Sequence, residues 1–340
     1  MKKLLAFTLI LFSIVLSSCS KKQQVFHSAA SAKPLKIGFS IDTLIVERWK
    51  QDCELFISTA GKNGAGVIIK DAANSVTEQI KQVDSLIAQN VDVIVIVPKE
   101  ASALTGVLLK AHKKNIPVIS YDRLILDAPV SLYVSVDSFK VGRLMAEGIL
   151  KGLDRGNIWS ILGSSEDNNM KMIEEGIHAG LAGSKVSEEF KFFTPDWNYD
   201  LAYAKMNSLL DDGLLPSGVI CGNDAIAEAV LKSISEHRLG LNIPIIGQDA
   251  DILACRRIVA GLQAATVYKP IQELASVAAE CACRIARGES AEECAPNIGS
   301  IKNGYGTVPA LLLEPVLLTD ENMMNVVVKS GFHSYDEIYR

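Results

Sequence analysis

The chain has no block of basic residues. Its 34 Lys and Arg stand against 39 Asp and Glu, a net charge of −5, which gives nucleic acid no electrostatic footprint. It also lacks a G-x-G-x-x-G turn. The first apolar, β-rich run is followed by Ser40-Ile41-Asp42-Thr43-Leu44, and Gly61, Gly64 and Gly66 fall in a helix-ending loop. A dinucleotide's pyrophosphate needs its glycines directly after the first strand. Histidine is scarce: His27, His112, His178, His237 and His333 make up the set, and none follows a strand. With no nucleophile beside a base, the chain reads as a non-enzyme, a Rossmann-type sugar dehydrogenase being the alternative set aside. No cofactor and no metal site are expected. The longest apolar run, residues 4–16, is too short to span a bilayer as a stable helix.

That run is informative for what surrounds it. Lys2 and Lys3 precede it and Leu16-Ser17-Ser18-Cys19 closes it, which is the form of an export signal over residues 1–18 and resembles the lipobox of bacterial lipoproteins. Cys19 is then the lipidated first residue, residues 19–35 are a flexible tether, and a lipid anchor keeps a soluble domain at a membrane of the cell envelope or periplasm. The alternative is an ordinary cleaved signal that happens to contain a cysteine. Cys53, Cys221, Cys255, Cys281, Cys283 and Cys294 remain. In a domain of this size they read mostly as small buried apolar residues.

From residue 36 the sequence alternates apolar runs with amphipathic stretches. Strands are expected at 36–41, 67–70, 91–97 and 117–121, and helices at 45–63, 76–89 and 101–114. Val76, Ile80, Val83, Leu86 and Ile87 form one helical face, and Ser75 with Glu78 makes a capping box. After a strand at 132–136 and a helix at 141–150 the pattern restarts. Strands follow at 157–162, 190–194, 218–221 and 243–247, with helices at 169–181, 201–210, 225–237 and 252–260. A strand ending at Tyr268 leads into Lys269-Pro270 and a long helix to Arg287; strand-like pieces lie at 298–301 and 310–318, and a last turn or helix at 322–329. Apolar strands joined by helices imply parallel sheets covered on both faces. The fold class is α/β: two doubly wound parallel-sheet lobes, with the chain crossing between them more than once and a ligand cleft between.

Ligands of open α/β sheets sit beyond the carboxyl ends of the strands, so the residues found there carry the functional reading. They are Asp42 and Glu47-Arg48-Trp49, Asp122-Arg123, Asp167-Asn168-Asn169, Asp196-Trp197-Asn198, Asn223-Asp224, Asp249 and Lys269. Carboxylates accept, Arg and Lys donate, and Asn amides do both, which is what a polyhydroxylated ring requires. Two of the three tryptophans, Trp49 and Trp197, stand at these edges, one in each lobe. Singly, each residue has another reading. Asn223 or Asp249 serves equally well as a helix N-cap, Trp49 as core, and Asp122 with Arg123 as a surface pair.

The runs IDTLIVERWKQD, VDVIVIVP, SYDRLI, DNN, GND, GQDADI, RRIVAG, TVYKPI and the terminal KSGFH, in this order, resemble the bacterial D-xylose-binding proteins of ABC transporters, within the type I periplasmic binding proteins. The resemblance covers residues 36–333. It implies two lobes joined by a three-segment hinge, residues 36–136 plus 269–299 in one and 137–268 plus 300–340 in the other. It also implies a pyranose between them, held by Arg48, Trp49, Asp122, Arg123, Asn169, Trp197, Asn223, Asp249 and Lys269. Trp197 lies in a diverged segment, and Cys221 precedes the GND turn where another small residue is expected. The expected function is capture of a monosaccharide, D-xylose, by a monomer that delivers it to an ABC permease and its ATPase. Presentation of the closed form to a sensor kinase or chemoreceptor is the alternative use of the same site.

Overall fold

The structure, a computed structural model, describes residues 34–45, 47–239, 243–294 and 298–340. The expected export signal over residues 1–18, Cys19 and His27 lie outside them. Among the described residues no helix is long and apolar enough to cross a membrane.

Two sheets build the chain. In the first half β1 (Leu35–Ile41), β2 (Ala65–Asp71), β3 (Val93–Ile96), β4 (Val118–Tyr121) and β5 (Leu132–Val136) alternate with α1 (Glu47–Lys62), α2 (Val76–Ala88) and α3 (Thr105–Lys113). The second half runs α4 (Ser138–Gly152), β6 (Arg155–Leu162), α5 (Asn168–Leu181), β7 (Lys185–Phe193), α6 (Tyr199–Asp211), β8 (Gly218–Cys221), α7 (Asp224–Glu236), β9 (Ile245–Gln248), α8 (Ile252–Val259) and β10 (Ala265–Tyr268). Then come α9 (Ile271–Ala286), α10 (Ala291–Cys294), β11 (Gly299–Lys302), β12 (Thr307–Leu313), β13 (Val316–Leu318), α11 (Asp320–Met323) and α12 (Tyr335–Tyr339). The first sheet has the order β11-β12-β5-β4-β3-β1-β2 and the second β13-β10-β9-β8-β6-β7. Pairing is parallel except at the edges, where β11 lies antiparallel to β12 and β13 to β10.

The elements follow from their residues. The four residues of β3, Val-Ile-Val-Ile, are buried on both faces, as a central parallel strand requires. Phe39 of β1 packs its ring 4.9 Å from Phe56 of α1 and 5.7 Å from Tyr121 of β4, tying the helix to the sheet. Strand-end Asp and Asn residues start helices: Asp137 caps α4, Asp167 caps α5 and Asn223 caps α7, each accepting a backbone N–H at 2.9 Å. Ser75 likewise accepts from the Glu78 amide, at 3.3 Å. All six described cysteines are buried thiols.

One expected boundary moves. Residues 300–340 were assigned to the second lobe, but β12 pairs with β5 and β11 with β12, so residues 299–313 belong to the first sheet. The stretch 310–318, read as one strand-like piece, is two strands in different sheets, parted at Glu314-Pro315. Proline has no N–H for a ladder and restricts the residue before it, and the chain changes lobe at that break. The three crossings therefore follow β5, β10 and β12.

Candidate functional site

The cleft lies where the carboxyl ends of both sheets face each other. Arg48 and Trp49 come from the first turn of α1, directly after β1. The Arg48 guanidinium is ion-paired with Asp122 and lies 3.7 Å from Asp52, one helical turn along. Its carbon sits 4.4 Å from the centre of the Trp49 ring, and that of Arg123 lies 5.6 Å from it, so the indole is bracketed by two cations. Trp49 is also 4% exposed and part of the core, as its alternative reading had it.

The turn after β4 is the most heavily held part of the site. Asp122 has a left-handed backbone, φ 62°, which a non-glycine residue adopts only when its surroundings demand it. Its amide donates to Val134 (2.8 Å), and its carbonyl accepts from Ser135 (2.6 Å), Tyr133 (3.0 Å) and the Asn169 amide (3.1 Å). Asn169 belongs to the other lobe, so this bond spans the cleft. Arg123 is half-buried and pairs with two buried carboxylates, Asp42 at 2.5 Å and Asp167 of the other lobe at 3.0 Å. The surface-pair reading of Asp122-Arg123 gives way, because each residue has separate buried partners.

Asp249 and Lys269 meet at 2.5 Å, on neighbouring strand ends of β9 and β10. Asp249 is not a helix cap. Its backbone is left-handed, φ 102°, as is that of Ala250, φ 56°. The turn rests on Asp224, whose carboxylate accepts from the Asp251 amide (3.0 Å), Gln263 (3.0 Å) and Thr266 (2.9 Å). Gly247 allows this approach: a β-carbon there would lie 2.0 Å from the Asp224 carboxylate.

The electrostatics are those of a desolvated network. Burial opposes the Arg48 charge, but Asp122, Asp52 and Asp249 outweigh it and fix the guanidinium as a cation. Burial would likewise raise Asp122, yet Arg48, Lys269 and Arg123 hold its carboxyl below the ordinary value. Asp52 behaves oppositely. Burial pushes its carboxyl up to about 6, against the pull of Arg48 and the Tyr121 hydroxyl, which donates to it at 2.8 Å. Burial also raises Asp224 well above the carboxylate range, with Asp251 and Asp249 adding to it.

Seven of the nine expected residues, Arg48, Trp49, Asp122, Arg123, Asn169, Asp249 and Lys269, thus come together by contact or by mutual electrostatic influence. Asn223 caps α7 through its side-chain oxygen, which leaves its NH2 group as the remaining donor. Trp197 packs against the cores of the second lobe, with its ring where a β-carbon on Gly163 would fall, 2.3 Å away. Its left-handed backbone, φ 59°, follows Asp196, φ 52°, whose carboxylate bridges to Lys99 of the first lobe at 2.8 Å. Sequence reasoning passed over Lys99, Asp52, Tyr121 and Tyr133. Asp52 alone carried a usable signal, its i, i+4 spacing from Arg48.

The chain has known relatives. Residues 37–290 match the family model described as a periplasmic binding protein domain. The chain is 38% identical to the D-xylose-binding periplasmic protein of Haemophilus influenzae, over 93% of this chain and 95% of that one. It is 33% identical to that of Escherichia coli, over 96% and 99%. A solute-binding protein of a Clostridium phytofermentans ABC transporter, with bound β-D-glucose, superposes with a TM-score of 0.79 at 28% identity, covering 89% of this chain and 99% of that one. Two α/β lobes with ligand-facing strand ends, together with these matches, lead to one conclusion: the chain belongs to the periplasmic binding protein family.

Proposed function

We propose that the protein is the substrate-binding component of a sugar ABC transporter, that its ligand is a monosaccharide, D-xylose, and that it delivers the sugar to a membrane permease driven by an ATPase. The carrying observation is the convergence of part-buried donors and acceptors from both lobes around the buried Asp122: Arg48, Asp122 and Arg123 from one, Asn169, Asp249 and Lys269 at the edge of the other. Hydroxyls inserted among them exchange one set of charge-assisted bonds for another, and closure follows because only the closed state makes all the contacts. The two relatives named for D-xylose support the pentose, and the glucose-bound structure supports the wider class. A pentose is selected by filling the volume of a hexose's hydroxymethyl group. We further propose that the protein is an exported monomer held by lipid on Cys19.

Titration calorimetry against D-xylose, D-glucose, D-ribose and L-arabinose tests this reading. One-to-one binding of xylose with little response to the rest is expected, and silence towards every sugar would sink it. Asp249→Ala leaves Lys269 buried without its partner and is expected to weaken xylose binding by about 30-fold or more; unchanged affinity in a folded variant would remove the Asp249–Lys269 pair from the site. Mass spectrometry of the membrane fraction, looking for an acylated Cys19, tests the anchor.

A further inference from the structure

The terminal KSGFH motif has no place among the strand-end residues, yet its side chains reach them from behind. The His333 Nε2 lies 2.9 Å from the carbonyl oxygen of Ala250; a carbonyl only accepts, so the imidazole donates, in its neutral or its protonated form alike. Phe332 packs its ring 5.1 Å from that of Tyr268, edge to face. Ala250 directly follows Asp249, and Tyr268 directly precedes Lys269. A single short segment therefore touches the neighbour of each charge in the Asp249–Lys269 pair.

The contact acts where the backbone needs it. Asp249 and Ala250 are both left-handed, a conformation that is strained for a non-glycine residue and persists only when over-determined by its surroundings. Around it, the Asp249 amide donates to Val267 at 3.0 Å and the Ala250 amide reaches Thr266 at 3.4 Å. On the Ala250 carbonyl the other donor is the Cys255 thiol, at 3.5 Å, a weak one. His333 is the strong donor on that carbonyl. The tail is itself anchored: Ile338 lies in the same small core as Ala250, Tyr268 and Cys255, and Arg256 of α8 donates to the Glu337 carbonyl at 2.5 Å.

We propose that His333 is a positioning residue for ligand binding: its bond to the Ala250 carbonyl sets the turn that presents the Asp249 carboxylate beside Lys269. The inference rests on the sugar-binding reading of that pair. His333 itself touches no ligand; it acts through the turn. The site's geometry then depends on residues at the far end of the chain, some 80 positions after the turn they hold.

The test compares full-length parent, His333→Leu and His333→Gln by xylose calorimetry and thermal melting. Removing one hydrogen bond from a part-buried carbonyl is expected to weaken xylose binding about five- to tenfold in His333→Leu. His333→Gln, whose side-chain NH2 can also donate to a carbonyl, is expected to recover most of that loss. Parent-like affinity in His333→Leu would overturn the proposal, and so would equal losses in both variants, since that pattern reports packing and not the bond. Should His333→Leu fail to fold, His333→Ala against His333→Gln makes the same comparison. A parent that binds no sugar at all is a different result, which defeats the sugar-binding reading and is recognised from the parent alone.

Discussion

Asp52 is a residue whose environment is at odds with its charge. It is fully buried, with its carboxyl pushed up to about 6 from an ordinary 3.8. The folded state therefore holds its proton more tightly than the unfolded state does. Such a group contributes stability that is complete below about pH 4 and is lost as the pH rises through about 6. Across that window the contribution amounts to roughly 3 kcal/mol. Asp167, Asp224 and Asp251 are raised as well, so the measurement must be a difference. Asp52→Asn, which cannot titrate, is expected to gain stability relative to the parent between pH 4 and 7 in thermal or urea melts of the ligand-free protein. A difference that does not change with pH would show that Asp52 titrates normally. Asp52 could be placed near Arg48 from sequence spacing alone, but its burial could not, because one turn of helix has two sides and only the packing of α1 against Tyr121 chooses between them.

At the level of elements, the turns do what the strands only make room for. The order of strands and helices was legible because apolar runs and amphipathic stretches alternate from residue 36 onward. The partner of a strand was not: β12 pairs with β5 across 177 residues, Ala310 opposite Tyr133, and nothing in Thr-Val-Pro-Ala-Leu-Leu-Leu says which sheet it joins. The left-handed backbones of Asp122, Asp196, Trp197, Asp249 and Ala250 were equally hidden, since non-glycine residues give no local sign of them. The residues of the site were legible as a list, from the rule that ligands lie beyond strand ends; what they do was not. Asn223 turned out to be a cap, and Asp224, its neighbour, is the carboxyl under the Asp249 turn. Gly247→Ala tests that support. Its methyl group would sit 2.0 Å from the Asp224 carboxylate, so β9 or the turn must shift, at a cost of about 1–3 kcal/mol. A lower melting temperature together with weaker xylose binding is expected; a variant with parental stability would mean that the turn has slack.

For the whole molecule the question is what holds the lobes together, and burial decides it. Lys99–Asp196 and Arg123–Asp167 both bridge the cleft, at 2.8 and 3.0 Å, but Asp196 is 62% exposed while Asp167 is 7% exposed. An ion pair with one partner in water adds little, whereas removing one member of a buried pair leaves a desolvated charge behind. Lys99→Ala is therefore expected to change xylose affinity by less than about fivefold. Asp167→Ala strips Arg123 of its partner in the other lobe and leaves it Asp42 and the Pro98 carbonyl, so the closed state loses a bond that the open state never had. The cap that Asp167 gives α5 is lost from both states alike, whereas the loss of this bond falls on the closed state and shifts the populations, so the apparent affinity falls with the closed fraction. Asp167→Ala is expected to weaken xylose binding by about tenfold or more, and to leave a larger radius of gyration in small-angle scattering at xylose concentrations that saturate the parent. Equal effects from the two substitutions would mean that closure depends on the number of bridges and not on their burial. If neither had an effect, the driving force for closure would lie in the ligand-facing residues themselves.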